Sequence, residues 1–308
     1  MLNFFKKFRK SESGNALVLV TLSFGAIVAI LGLVIDGGHL YTTKSHLQKT
    51  ANAAALSGAQ EIPNSGARVQ RVVGEVLVSH EEGGSLLRST VENNRQLHVE
   101  LERDVPLFFA SLFGRDSVSI HVEARASLNP MGEAKGAVPL GIDEKVELNY
   151  GEKYELKVDS GDSEAGSFGV LALAGSGANH YGETLKHGFK DTMKVGDIIP
   201  TQTGNIAGAT REGINHRIDT CPYPNGEYRE RDCPRVMLVV VYKPHEKSQN
   251  QLRSIQVTGF AYFYVTDRMG RNDDSIKGTF IKRTGPGMAG TGTTLPPDRG
   301  AYAIRLTE

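Results

Sequence analysis

Cys221 and Cys233 bracket the loop CPYPNGEYRERDC, which carries Pro222, Pro224 and the turn pair Asn225-Gly226. Turn residues of this kind fold a chain back on itself, so the two sulfurs can meet. A disulfide is the expected chemistry, and closing a loop of this size gives roughly 3 kcal/mol by the chain-entropy argument. The rivals are a zinc site with His216 and His245, which lacks the close ligand pair such sites use, and two buried free thiols. Ser176, His180, His187 and Asp191 supply the residue types of a hydrolytic site, but as polar residues of one segment they read first as loop. Gly285, Gly287 and Gly290 match G-x-G-x-x-G by letter. A dinucleotide site needs a helix next, and two prolines, Pro296 and Pro297, follow instead. His98 and His121 sit on the polar faces of strands, with no third ligand at useful spacing. No cofactor, metal or nucleotide is expected.

The elements that would hold these groups start from a membrane segment. Ala16 to Ile35 is an uncharged, mostly apolar run, with Lys6, Lys7, Arg9 and Lys10 before it and Asp36 directly after. About twenty such residues cross a bilayer core as a helix, with every backbone group bonded inside the segment. A charge at the helix centre costs about 2.5–3.5 kcal/mol, so the span closes before Asp36. The basic flank predicts a cytoplasmic N-terminus and an extracytoplasmic remainder. A cleaved signal peptide has a shorter apolar region and a small-residue cut site beside it. Here the nearest Ala-x-Ala, Ala51-Asn52-Ala53, lies well beyond the run, so the anchor is expected to be retained.

Formal net charge is zero, with 35 basic and 35 acidic residues, and no basic cluster lies beyond the N-terminal tail. Nothing in this suggests a nucleic-acid footprint. The 35 glycines favour turns and strands outside the anchor. The expected organisation is a basic tail (1–14), a transmembrane helix (15–35), a helical stalk with a small α+β module (36–130) and a β-rich extracytoplasmic domain (137–308).

After the span, Gly37 and Gly38 are expected to loosen the exit. Leu40, Leu47 and Ala54 then recur every seven residues, with Ala51 and Gly58 between them, which marks a helical seam lined by small residues. Val69, Val72, Val73, Val76 and Leu77 predict an amphipathic helix with a cap near Ser65. Alternation predicts strands over Leu97–Leu101 and Val118–Leu128. Asp104 is expected to cap a short helix containing Pro106 and closed by Gly114. Asn129 to Gly132 reads as a flexible linker. Beyond it, short apolar runs between Gly, Asn and Asp turns predict an all-β sandwich or partly closed barrel. Val236–Val241 is a strand covered on both faces. In Ile255–Val265, the residues Ile255, Val257, Ala261, Phe263 and Val265 fall on one side, and Phe260, Tyr262 and Tyr264 on the other. The fold class is α+β.

The run GNALVLVTLSFGAIVAILGLVIDGGHLYTTKSHLQKTANAAALSGAQ resembles the N-terminus of the Flp pilus-assembly TadE/TadG-like proteins. Gly14, Asp36, Leu40, Tyr41, Leu47, Gln48, Ala53, Ala54 and Ala55 stand at the matching places. The resemblance implies a single-pass, membrane-anchored, non-catalytic component of a Tad/Flp pilus assembly or secretion system, with the bilayer and other assembly proteins as partners. Processed pilins of this kind carry an acid at the fifth mature position. Counting from Gly14, that position is Leu19, which favours the uncleaved TadG-like branch. The alternatives are a membrane-tethered hydrolase using Ser176, His180, His187 or Asp191, and a surface ligand-binding or adhesive protein.

Overall fold

The computed structural model describes residues 12–157, 168–202, 206–248, 251–290 and 295–307. The basic residues Lys6 to Lys10 lie outside the described residues. Helix α1, Glu12–Ala59, runs unbroken through the apolar segment and the seam. Gly37 and Gly38 do not loosen it; both are exposed, and nothing approaches within 4 Å of where their Cβ atoms would sit. Two glycines cost helix stability, but the packing of the residues that follow holds the helix through them.

Ser65 caps helix α2, Gly66–Ser79, by accepting the Arg68 N–H, and α2 buries Val69, Val73 and Leu77. A hairpin follows: β1, Leu86–Glu92, and β2, Gln96–Pro106, joined through Asn93 and Asn94, both at positive φ. The Arg95 N–H closes this tight turn on the Glu92 carbonyl, and Asn tolerates positive φ best after Gly. Strand β3, Ser117–Ala134, pairs antiparallel with β2. The alternating burial read from Val118 to Leu128 holds. The expected linker is part of this strand: Met131 is buried, and Pro130 lies opposite Tyr302 of β14, Ala301–Thr307. The C-terminal strand thus returns to the first sheet, whose order is β1-β2-β3-β14-β12, where β12 is Arg283–Thr284. The C-terminal half of α1 and α2 cover one face of it. Leu47, Ala51, Ala54, Ala55, Leu77, Leu97, Val99 and Ala126 are among the residues buried there.

A second sheet, in the order β5-β11-β10-β9-β4-β6, is built from β4 (Ala137–Asp143), β5 (Lys153–Lys157), β6 (Phe168–Val170), β9 (Val236–Ser248), β10 (Gln251–Val265) and β11 (Ser275–Ile281), with the short β8 (Ile198–Pro200) beside β10, while the two-residue β7 (Met193–Lys194) pairs with β3. The region is not all-β. Helices α3, Ala178–His187, and α4, Ala207–Asp219, place Tyr181, Leu185 and Ile214 against Met237, Val239, Ala261 and Phe263. Leu238, Val240 and Tyr242 face the opposite core, so β9 is covered on both faces as its sequence requires. In β10 the register shifts between Val257 and Gly259. This β-bulge reverses the facing of what precedes it. Ile255 and Val257 therefore share a core with Phe260, Tyr262 and Tyr264, not with Ala261 and Phe263. The molecule is α+β.

Candidate functional site

The N-terminal part of α1 is a bare apolar rod. Leu17, Val20, Leu22, Phe24, Ile27, Ile30, Leu33 and Val34 are all exposed. The polar Thr21 satisfies itself: its Oγ1 donates to the carbonyls of Leu17 and Val18. That is how a hydroxyl is accommodated in a lipid-facing helix. By length and composition this helix can cross a membrane.

One stripe of the rod is covered. Gly32 and Asp36, one turn apart, are buried where the segment between β2 and β3 meets the helix. A Cβ on Gly32 would lie 2.5 Å from Cγ of Phe109, so only glycine lets that ring reach the helix. Asp36 is 5% exposed, and its carboxylate accepts backbone N–H groups from Phe108 (2.8 Å), Phe109 (3.0 Å) and Ala110 (2.8 Å). It caps the single 3-10 turn Ala110–Phe113. Burial opposes the charged form, but the three donors outweigh it and hold the Asp36 carboxyl below its ordinary value. Asp104, the cap expected from the sequence, lies instead within β2 opposite Ser119, and Pro106 ends that strand.

Further along the helix, Leu40 is half-buried and Leu47 fully buried, while Tyr41 points away from the module and is exposed. Gln48 donates to Oδ1 of Asn52 (3.1 Å) and to the Glu123 carbonyl of β3 (2.8 Å), which ties the helix to the sheet. Ala54 and Ala55 are buried and Ala53 half-buried. A Cβ on Gly58 would meet Leu97 at 2.6 Å and Val73 at 2.7 Å. Gly14 lies in the first turn of α1. A second buried carboxylate, which sequence reasoning passed over, steadies this module: Glu82 receives Arg103 Nη1 at 2.6 Å and Ser85 Oγ at 2.5 Å.

The two cysteines face each other, Sγ to Sγ, at 3.6 Å. Both are free thiols in this structure, since an S–S bond requires about 2.05 Å, so the expected disulfide is not confirmed. The loop between them is well anchored. Tyr264 Oη accepts the Gly226 N–H at 2.8 Å, and Arg235 donates to Asn225 at 2.7 Å. Burial pushes the Cys233 thiol above its ordinary value. No group of three His, Cys, Asp or Glu residues able to hold a metal occurs among the described residues.

The four residues considered for hydrolysis are all exposed. Ser176 and His180 are exposed at the start of α3, and His187 at its far end lies edge-on to His216, with ring centroids 5.5 Å apart. No hydrogen bond joins any two of Ser176, His180, His187 and Asp191 among the described residues. A cation that sequence reading missed, Arg217, is buried and donates to the carbonyls of Leu185 (2.5 Å) and Pro234 (2.7 Å). Burial pushes it down to about 10. It ties α4 to α3, a structural task. Gly287 begins the short strand β13, Gly287–Ala289, and a Cβ there would meet the Glu133 carbonyl at 2.7 Å. Gly285 abuts the Tyr262 hydroxyl. These glycines serve close packing of strands; residues 291–294, directly after them, lie outside the described residues.

Residues 14–61 match the family described as "Putative Flp pilus-assembly TadE/G-like". No curated protein and no solved structure matches the chain. The matched stretch runs from the first turn of α1 to just past its end, and takes in the span, Asp36 and the Ala/Gly seam. Over this segment the chain is similar to the TadE/G-like family.

Proposed function

We propose that this chain is a single-pass, membrane-anchored structural component of a Tad/Flp-type pilus assembly or secretion system. The observation that carries the reading is the TadE/G-like match, which covers a helix whose first half is exposed and apolar and whose second half is the core of a folded module. The span holds residues 15–35, the N-terminus is cytoplasmic, and both sheets stand outside. Its work is to hold the module at the membrane and present it to other assembly proteins; turnover of a substrate is not part of the role. Protease added to intact protoplasts should remove the mass beyond the span. Protection of the bulk until the membrane is opened would defeat the orientation. Deletion of the chain should abolish pili, with wild type restoring them. Rescue by wild type but not by a variant lacking only the Ser176, His180, His187 and Asp191 side chains would favour the hydrolase instead.

In that setting Cys221 and Cys233 form a disulfide, because the compartment is oxidising and the loop already holds the sulfurs in contact. Closure of the loop adds roughly 3 kcal/mol by the chain-entropy argument, large against a domain's margin. Non-reducing peptide mapping of the exported protein should return the two cysteine peptides joined. Two thiols freely alkylated in the native exported protein would end the disulfide and weaken the outside assignment.

A further inference from the structure

The 3-10 turn at the end of the span carries an apolar surface that the folded module leaves uncovered. Phe108 is 59%, Leu112 78% and Phe113 83% exposed. Single exposed apolar residues are ordinary. These three are clustered on one loop, and the loop is fixed to the helix at the mouth of the span.

Its depth follows from its partners. Phe109 meets the helix at Gly32, inside the apolar run, about 6 Å by helical rise from Asp36. Phe108 lies against His39, with ring centroids 5.6 Å apart. The loop therefore spans the level at which the uncharged run gives way to polar residues. Most of its backbone donors are satisfied within the protein. The N–H of Leu107 is taken by the Asp116 carbonyl and those of Phe108, Phe109 and Ala110 by Asp36. Those of Leu112, Gly114 and Arg115 are taken within the turn. The Ser111 hydroxyl donates to the Phe108 carbonyl at 2.7 Å. An irregular segment exposed to water has no need to satisfy its donors internally, whereas one at membrane depth does. The exposed Arg115 follows at once, placed to reach headgroup phosphates.

We propose that residues 107–115 form a second membrane contact, which seats Phe108, Leu112 and Phe113 in the boundary between headgroups and acyl chains of the leaflet on the module's side. Asp36 sets the depth of this contact. The occupant is lipid because the patch is continuous with the exposed face of the span. Apolar side chains of this kind enter that boundary by about 5–10 Å. With one helix alone the module could pivot at the surface; two contacts fix its tilt. The proposal rests on the anchor reading.

The chain contains no Trp, so one introduced residue reports its own environment. The full chain is reconstituted in phosphatidylcholine/phosphatidylglycerol vesicles as three variants: Phe113→Trp in the loop, Phe24→Trp in the span and Val78→Trp on the far surface of α2. Lipids brominated at the top of the acyl chain should quench Phe113→Trp, and lipids brominated deep should quench Phe24→Trp. Aqueous iodide should quench only Val78→Trp. Phe24→Trp untouched by any brominated lipid would end the anchor reading itself. Phe24→Trp quenched by lipid but Phe113→Trp quenched by iodide would overturn the loop contact alone. Phe113→Trp shielded from both quenchers would show a second copy on the patch and overturn lipid as its occupant. Adding Asp36→Ala to Phe113→Trp should lose the lipid quenching; quenching retained at the same depth would remove Asp36 from the role.

Discussion

On the proposed anchor reading, the two halves of α1 are one helix in two solvents. From Leu17 to Ile35 most side chains are large and apolar, and they are exposed almost all round; from Leu47 to Ala59 the buried stripe is mostly Ala and Gly. Water would reject the first arrangement, and lipid gives no drive for burying the second. As a membrane anchor, the apolar half would gain its free energy from bulk in contact with acyl chains. The other half gains it by letting β2 and β3 approach closely, so that Leu97 reaches Gly58 and Val99 and Ala126 join the same core. Size means opposite things along one helix, and the same substitution should have opposite consequences.

The largest expected contrast comes from Leu47→Ala against Leu22→Ala. Leu47 is fully buried on the seam, and its truncation should cost about 2–5 kcal/mol. Leu22 faces outward, and the same truncation should change the module's stability by roughly 0.5 kcal/mol or less. Urea unfolding of the full chain in detergent, followed by circular dichroism, measures both. Equal effects would mean that the helix is not divided as described.

A smaller contrast uses glycine. Gly58→Ala drives a methyl into Leu97 and Val73 and should destabilise by about 1–3 kcal/mol. Gly37→Ala meets nothing within 4 Å and should stabilise by about 0.5–1 kcal/mol, because it removes backbone freedom from the unfolded chain. The sign is the test. A destabilising Gly37→Ala would show that the helix needs to bend there, as the sequence first suggested.

What the sequence revealed and what it hid divide along the same line. The span, the seam, α2 and β3 were legible because each is a local period with apolar residues on it. Helix α4 was not, because the residues it buries include Thr210, Gly213 and Arg217, which carry no apolar signal. Strand β1 was missed for a related reason: it is an edge strand with Leu86 and Leu87 both exposed, so it has no buried alternation to read. The bulge in β10 changed which residues face together without changing any residue type. Asp36 was read as the charge that ends the span and as a place of the family pattern. Its second task depends on a loop more than seventy residues away, and local reading gave that cap to Asp104 instead.

The last and most local effect is the pH response of that cap, where the two halves of α1 meet. The donors from Phe108, Phe109 and Ala110 favour the ionised carboxylate and outweigh the opposing effect of burial, so the Asp36 carboxyl is lower in the folded chain than in the unfolded one. A depressed carboxyl pKa gives stability that is fully present above the unfolded value, about 4, and is lost as pH falls through the folded value. The loop should thus stay docked at neutral pH and release only in acid, while the seam from Leu47 to Ala59, which contains no carboxylate, holds. Amide NMR of the full chain in micelles, from about pH 6 to about pH 2, reads this directly. The Phe108, Phe109 and Ala110 signals should move together with a midpoint below the ordinary carboxylate range. In Asp36→Asn that shared transition should vanish. A midpoint at or above the ordinary range would mean that the three hydrogen bonds do not hold Asp36 charged, and the joint between the two halves would then need another fastening.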